Sequence, residues 1–207
     1  MSLPNIITLS RIPLMFVIVW LMYQGWLGAA SLAFWLFIAA AVGDWYDGYL
    51  ARKRGLVSNF GKLMDALTDK IMVLGLIIAL VDLQHVAGGS LIDGLPNLLW
   101  LALITLVREF LVTGMRMVAA TKGIVVAADR GGKSKTMSQL IGLGFLLATP
   151  MVARDWAHYS PWNLDAFSLV VHWIGYILFA LGTVLAVWSG FRYILRYKRV
   201  VFGDAAG

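Results

Sequence analysis

The stretch GDWYDGYLARKRGLVSNFGKLMDALTDK, residues 43–70, sets four aspartates, Asp44, Asp47, Asp65 and Asp69, between two long apolar runs. Asp44 and Asp47 are three residues apart, and Gly48 and Ala51 continue their helical face. Asp65 and Asp69 are four apart, with Gly61 one turn earlier on the same face. On two helices packed side by side, these spacings bring two pairs of carboxylates together. Four mutually repelling carboxylates at a membrane boundary are unfavourable unless something cationic lies between them. Hard divalent cations take oxygen ligands, and Mg2+ is held by a few carboxylates together with substrate phosphates. The small residues Gly48, Ala51 and Gly61 leave room for a bulky ligand or close helix contact. The competing reading is an interfacial charge belt in which the acids pair with Arg52, Arg54, Lys62 and Lys70. Two helical spacings flanked by small residues on matching faces favour the metal.

The elements that must position these acids are apolar. Of the 207 residues 60% are hydrophobic and only 14% charged, and the mean hydropathy is +0.81. A soluble surface needs far more charge, so the chain is expected to be an all-α integral membrane protein. A spanning helix needs about 20 mostly apolar residues. Six segments qualify, roughly 10–24, 29–46, 63–82, 95–118, 136–153 and 166–192, separated by turn-forming breaks such as QGWLG and SPWNLD. No internal repeat or low-complexity tract interrupts them, and residues 1–207 read as one domain. The opening SLPNIITLSR is uncharged up to Arg11 and polar in a patterned way, so the first apolar run is expected to stay in the protein rather than serve as a signal peptide.

Charge placement tests the helix count. The break after the second segment carries Arg52, Lys53, Arg54 and Lys62, and the break after the fourth carries Lys122, Arg130, Lys133 and Lys135. The tail adds Arg192, Arg196, Lys198 and Arg199, whereas the remaining breaks hold only Arg154 among acids. This alternation fits a six-transmembrane-helix bundle with both termini cytoplasmic. The net charge of +6 then belongs to a cytoplasmic membrane face, and no nucleic-acid partner is expected. With no cysteine, disulfides, thiolate chemistry and zinc-thiolate sites are excluded.

The aspartate stretch reads D-x-x-D-G-x-x-A-R, then G-x-x-x-D-x-x-x-D, with Asp44, Asp47, Gly48, Ala51, Arg52, Gly61, Asp65 and Asp69 at the fixed positions. This pattern resembles the signature of the CDP-alcohol phosphotransferases, membrane enzymes with six transmembrane helices. The resemblance implies that a CDP-linked lipid is joined to an alcohol with release of CMP. It implies two divalent ions, Mg2+ or Mn2+, held by Asp44, Asp47, Asp65 and Asp69, with Asp69 also the general base. Gly48, Ala51, Arg52, Ser58 and Gly61 would then line the nucleotide and diphosphate site. Such chemistry is coherent, because two metals spread the charge of an in-line displacement and a carboxylate positions the nucleophile.

Two further segments bear on the acceptor. VREFLVTGMRMV places Arg108 and Glu109 inside an apolar run, with Arg116 eight residues on, and an intramembrane arginine has a functional or pairing reason. For Arg108 and Glu109 the competing reading is an internal salt bridge to a neighbouring helix. DRGGKSKTMSQ approaches a P-loop, but Ala127 stands where the first glycine belongs and no strand precedes it. Lys133, Lys135, Thr136 and Gln139 instead open a helix, where ammonium groups and a helix N-terminus suit a phosphate; ordinary interfacial lysines are the plain alternative.

REFLVTGMR, GKSKTMSQ and the opening LPNIITLSRIP resemble the phosphatidylglycerophosphate synthases within that family, although Ala66 stands where such synthases often have proline. Asn5 and Thr8 share a helical face and are expected to touch the nucleotide. The implied partners are CDP-diacylglycerol, sn-glycerol 3-phosphate and membrane lipid, with a second copy of the chain as a homodimer. Arg116, Lys133, Lys135 and Arg108 would neutralise the acceptor phosphate. The alternatives within the family are phosphatidylglycerol as acceptor, giving cardiolipin, or an inositol phosphate. A prenyltransferase would carry its acids on distant helices, and a cation transporter would place them near the midplane among broken helices or repeats.

Overall fold

The structure, a computed structural model, describes residues 3–53, 59–86, 97–121 and 131–202, with side chains described over 10–44, 67–68, 70–84, 97–119, 121 and 134–196. Among the described residues there is no strand. The helices are α1 (Leu3–Met22), α2 (Ala29–Lys53), α3 (Asn59–Val86), α4 (Leu99–Thr121), α5 (Gly131–Pro150) and α6 (Asp165–Phe202). A π-helical turn, Met151–Trp156, and one further helical turn, Ala157–Tyr159, prolong α5.

The helices outrun the apolar segments at nearly every end. α2 continues to Lys53, so Asp47, Gly48, Ala51 and Arg52 are helical, and α3 begins at Asn59, so Gly61, Asp65 and Asp69 are helical too. Hydropathy marks the part of a helix that suits lipid, while backbone hydrogen bonding carries on through polar residues. The stretches Ser134–Tyr159 and Asp165–Arg196 are long and apolar enough to cross a membrane, with mean hydropathies of 1.4 and 2.0. Ser10–Met22 and Ala29–Asp44 are shorter apolar helices.

Apolar side chains cover the outside of the bundle as well as the inside. Phe16, Trp35, Trp100, Val107, Phe110, Val184 and Trp188 are all more than half exposed, a surface suited to lipid rather than water. Trp20, Tyr23, Trp26, Trp100, Trp156, Tyr159 and Trp162 are exposed at the helix ends remote from the aspartates. That girdle is what a membrane–water boundary selects.

Inside, Ile18, Phe37, Leu76, Ile77, Leu143, Leu146, Leu147 and Phe179 are almost wholly buried and join α1, α2, α3, α5 and α6 in one core. α1 packs against both α2 and α3, and among the described residues α2 and α3 meet through α1 rather than directly. The closest pairing is α5 with α6. A Cβ on Gly142 would lie 2.5 Å from the Phe179 amide nitrogen, and one on Gly175 would lie 2.8 Å from that of Leu146. Gly182 meets the Gln139 backbone in the same way, at 2.9 Å. Small residues thus let two backbones touch, which supplies packing where lipid removes the hydrophobic drive between helices.

The remote end is tied by Asp155 in the π turn. Pro150 lacks an N–H and disturbs the preceding turn, and the wider helix that follows aims Asp155 at the start of α2. Asp155 Oδ2 accepts from the Ser31 amide and from the Ser31 hydroxyl, each at 2.8 Å, a carboxylate at a helix N-terminus. Arg154 donates to Asp155 at 3.2 Å and to the Gln24 carbonyl at 3.0 Å, closing the turn between α1 and α2.

The glycine seam gives a direct test. Gly142→Ala should destabilise the protein by about 1–3 kcal/mol, because backbone and not a flexible side chain is in the way. Gly114→Ala, whose Cβ would meet nothing within 4 Å, should be neutral or stabilising by about 0.5–1 kcal/mol. Thermal unfolding in detergent, read side by side for the two variants, checks the contrast.

Candidate functional site

Asp44 is the member of the aspartate set whose side chain is described. It sits in the second half of α2, and its Oδ1 pairs with the guanidinium of Arg11 on α1. Arg11 is 5% exposed and Asp44 34%, so the cation is sunk in the bundle while one side of the carboxylate stays open. Among the described residues α1, which carries this buried arginine, lies against both α2 and α3. Asp47, Asp65 and Asp69 lie on α2 and α3, but their side chains are outside the described residues, as are those of Asn5, Thr8, Ala51, Arg52 and Lys133 and the surroundings of Gly48 and Gly61. Ser58 lies outside the described residues altogether.

The chemistry of the donors fits a hard divalent cation. Every member of the set offers carboxylate oxygen, the hard donor that such a cation takes, and the chain has no cysteine to supply thiolate. Asp44, open on one side beside its arginine, has room for a further partner. Among the described residues no three His, Asp or Glu side chains come together.

A second charged group is described in full. Glu109, on α4, is 15% exposed and meets three cations from three helices. Its Oε1 accepts from Lys135 Nζ on α5 at 3.1 Å and from Arg108 beside it on α4. Its Oε2 lies 3.5 Å from Lys70 Nζ on α3. Arg108 also donates from Nε to the Ala186 carbonyl of α6 at 2.9 Å. Lys70 Nζ donates in addition to the Thr113 hydroxyl, which itself donates to the Glu109 carbonyl at 2.7 Å. The internal salt bridge considered for Arg108 and Glu109 is therefore present, and it is wider than a pair.

One turn deeper the polarity continues without charge. Gln139 follows Lys135 by one turn, and its side-chain amide donates to the hydroxyls of Thr105 and Thr183 at 3.3 Å. Those hydroxyls are 3.1 Å apart, and Thr183 donates to the Phe179 carbonyl at 2.9 Å. Buried polar groups satisfied in this way hold α4, α5 and α6 in one register.

Arg108 and Lys135 meet on Glu109, whereas Arg116 makes a different contact. Arg116 is exposed on α4 and stacks over the Tyr193 ring of α6, with its Cζ 5.7 Å from the ring centre, a cation–π contact. The sequence reading missed Arg11 and Lys70 as site residues. The available signals were a lone arginine within α1, three residues after Thr8, and a lysine immediately following Asp69.

Comparison with known proteins covers most of the chain. A profile of the family described as CDP-alcohol phosphatidyltransferase matches residues 1–190. A Bacillus subtilis protein named CDP-diacylglycerol–glycerol-3-phosphate 3-phosphatidyltransferase is 39% identical over 188 residues, covering 83% of this chain and 92% of its own. A Rickettsia bellii protein of the same name is 33% identical over 95% of this chain and 97% of its own. An Arabidopsis thaliana protein with that name and the suffix 2 is 33% identical over 97% of this chain and 81% of its own.

The Arg11–Asp44 pair can be tested without any substrate. Arg11→Met keeps an apolar stem and removes the charge, and it should lower stability by about 1–3 kcal/mol, less than for a fully buried pair because Asp44 is partly open. In a double-mutant cycle with Asp44→Asn, read by unfolding in detergent, the two losses should be non-additive by about 1 kcal/mol. Additive losses would show that the pair contributes nothing.

Proposed function

Because the chain belongs to the CDP-alcohol phosphatidyltransferase family, we propose that it transfers the phosphatidyl group of CDP-diacylglycerol to sn-glycerol 3-phosphate, giving phosphatidylglycerol phosphate and CMP. The observation that carries the acceptor is the one name shared by bacterial and plant relatives aligned over most of the chain. The physical support is the cationic group around Glu109, which an uncharged acceptor would not need.

In this reading Asp44, Asp47, Asp65 and Asp69 hold two divalent ions, Mg2+ or Mn2+, which when bound neutralise the diphosphate of the CDP-lipid. Gly48, Ala51, Arg52, Ser58 and Gly61 line the nucleotide and diphosphate site, and Asn5 and Thr8 reach the nucleotide from α1. Asp69 takes the proton from the acceptor hydroxyl as its oxygen attacks the phosphorus next to the diacylglycerol. The P–O bond to the cytidine phosphate breaks, and CMP leaves with the electron pair. Arg108, Arg116, Lys133 and Lys135 serve the acceptor phosphate, Arg116 from the rim where it stacks on Tyr193. Arg11 holds the Asp44 carboxylate in place through their ion pair.

The same reading gives the chain its setting. Residues 1–207 act as one domain, a six-transmembrane-helix bundle in the inner (cytoplasmic) membrane with both termini cytoplasmic, and it works as a homodimer. The aspartate end faces the cytoplasm, where CMP, a water-soluble leaving group, can depart. The basic breaks at that end and the aromatic girdle at the other support this orientation.

Purified protein supplied with CDP-diacylglycerol and Mg2+ should release CMP with glycerol 3-phosphate far faster than with water, phosphatidylglycerol or inositol phosphate. Release with phosphatidylglycerol but not with glycerol 3-phosphate would overturn the acceptor. Asp69→Asn should lower kcat by about 100-fold or more, the loss expected of a general base, while CDP-lipid binding persists. Full activity in that variant would remove Asp69 from the chemistry.

A further inference from the structure

The group around Glu109 has an unbalanced charge. Among the described residues Lys70, Arg108 and Lys135 face a single carboxylate, an excess of two positive charges in a group where Glu109, Arg108 and Lys135 are each 15% exposed or less and Lys70 is 31% exposed. Uncompensated charge away from water is costly. Long lysine side chains carrying like charge also separate towards solvent unless something gathers them. Here the gathering group is Glu109, and each cation it holds comes with a different attachment. Lys135 begins the α5 seam, Arg108 is pinned to the Ala186 carbonyl, and Lys70 is steered by the Thr113 hydroxyl. Because Thr113 spends its proton on the Glu109 carbonyl, its lone pairs are the part presented to Lys70.

A phosphate monoester carries a charge of about −1.5 to −2 at neutral pH, which matches the missing charge. Lys70 also follows Asp69 directly in α3, so the cluster is anchored one residue along the chain from the proposed general base. Resting on the acceptor reading above, we propose that Glu109 is a positioning residue that gathers Lys70, Arg108 and Lys135 into a cradle for the phosphate of glycerol 3-phosphate, and that Lys70 is itself one of the phosphate-binding residues.

The sign of the effect separates this role from the obvious alternative. If Glu109 merely competed with the phosphate for the lysines, removing its charge would tighten acceptor binding. If it gathers them, removing its charge lets them separate and weakens binding. The test is steady-state CMP release by the full chain in detergent–lipid micelles, with glycerol 3-phosphate varied at saturating CDP-diacylglycerol and then the reverse. Glu109→Gln should raise KM for glycerol 3-phosphate about tenfold, the loss expected of one charge-assisted hydrogen bond. KM for CDP-diacylglycerol should stay within about twofold. Glu109→Asp, which keeps the charge, should restore part of the loss. Lys70→Gln should raise the same KM, and combining it with Glu109→Gln should add little.

Should Glu109→Gln fail to fold, Glu109→Asp and Lys70→Gln carry the test, each with a raised KM for the acceptor alone. An acceptor KM that is unchanged or lower, or equal rises for both substrates, overturns the inference. If the unaltered protein releases CMP with glycerol 3-phosphate while the variants keep its KM, the positioning role of Glu109 and the phosphate-binding role of Lys70 both fall and the acceptor reading stands. If the unaltered protein does not use glycerol 3-phosphate, the acceptor reading falls and the inference with it.

Discussion

A charge inside an apolar helical bundle has to meet an opposite charge, because neither lipid nor a neighbouring leucine can stabilise it. This requirement organises the end of the bundle that carries the aspartates. Asp44 on α2 meets Arg11 on α1, and Glu109 on α4 meets Lys70 on α3 and Lys135 on α5. These ion pairs run between helices, so that satisfying the charges also ties α1 to α2 and, separately, α3 and α5 to α4. In the proposed reading the two groups are unbalanced in opposite senses: four aspartates would carry more negative charge than Arg11 supplies, and among the described residues the Glu109 group has more positive charge than its carboxylate supplies. A pair of divalent cations with a diphosphate on one side, and a phosphorylated acceptor on the other, fit those two imbalances.

The remainder of the fold keeps that end rigid. α5 and α6 approach so closely that Gly142, Gly175 and Gly182 admit no side chain, and the polar layer of Gln139, Thr105 and Thr183 sets their register against α4. At the far end Asp155 caps α2 from the π turn of the α5 rod. The rod that begins beside Lys135 thus ends on the helix that carries Asp44.

Much of this was legible in the sequence, and the reasons differ by residue. The six apolar segments and their breaks forecast the helices, since lipid-compatible length is a property of composition alone. Their ends were misjudged because hydropathy falls at Val42 or so while α2 runs to Lys53. The aspartate spacings and the resemblance they carry agree with the family to which the chain belongs. The internal salt bridge weighed for Arg108 and Glu109 was legible as charge inside an apolar run. That Lys70 and Lys135 complete it was not, because which face of α3 and α5 turns inward depends on tertiary packing. The packing of α1 against both α2 and α3 could not be read from spacing either, and its contact with α2 gives Arg11 its place beside Asp44.

The central claim is that the four aspartates jointly hold divalent ions. Its most direct measurement is the number of Mn2+ ions bound per chain in the presence of CDP, read by electron paramagnetic resonance on the purified protein and displaced with Mg2+. Two ions are predicted for the unaltered chain, with binding lost on combining Asp47→Ala with Asp65→Ala. Mn2+ binding that survives this double replacement, or none at all in the unaltered chain, would contradict the account.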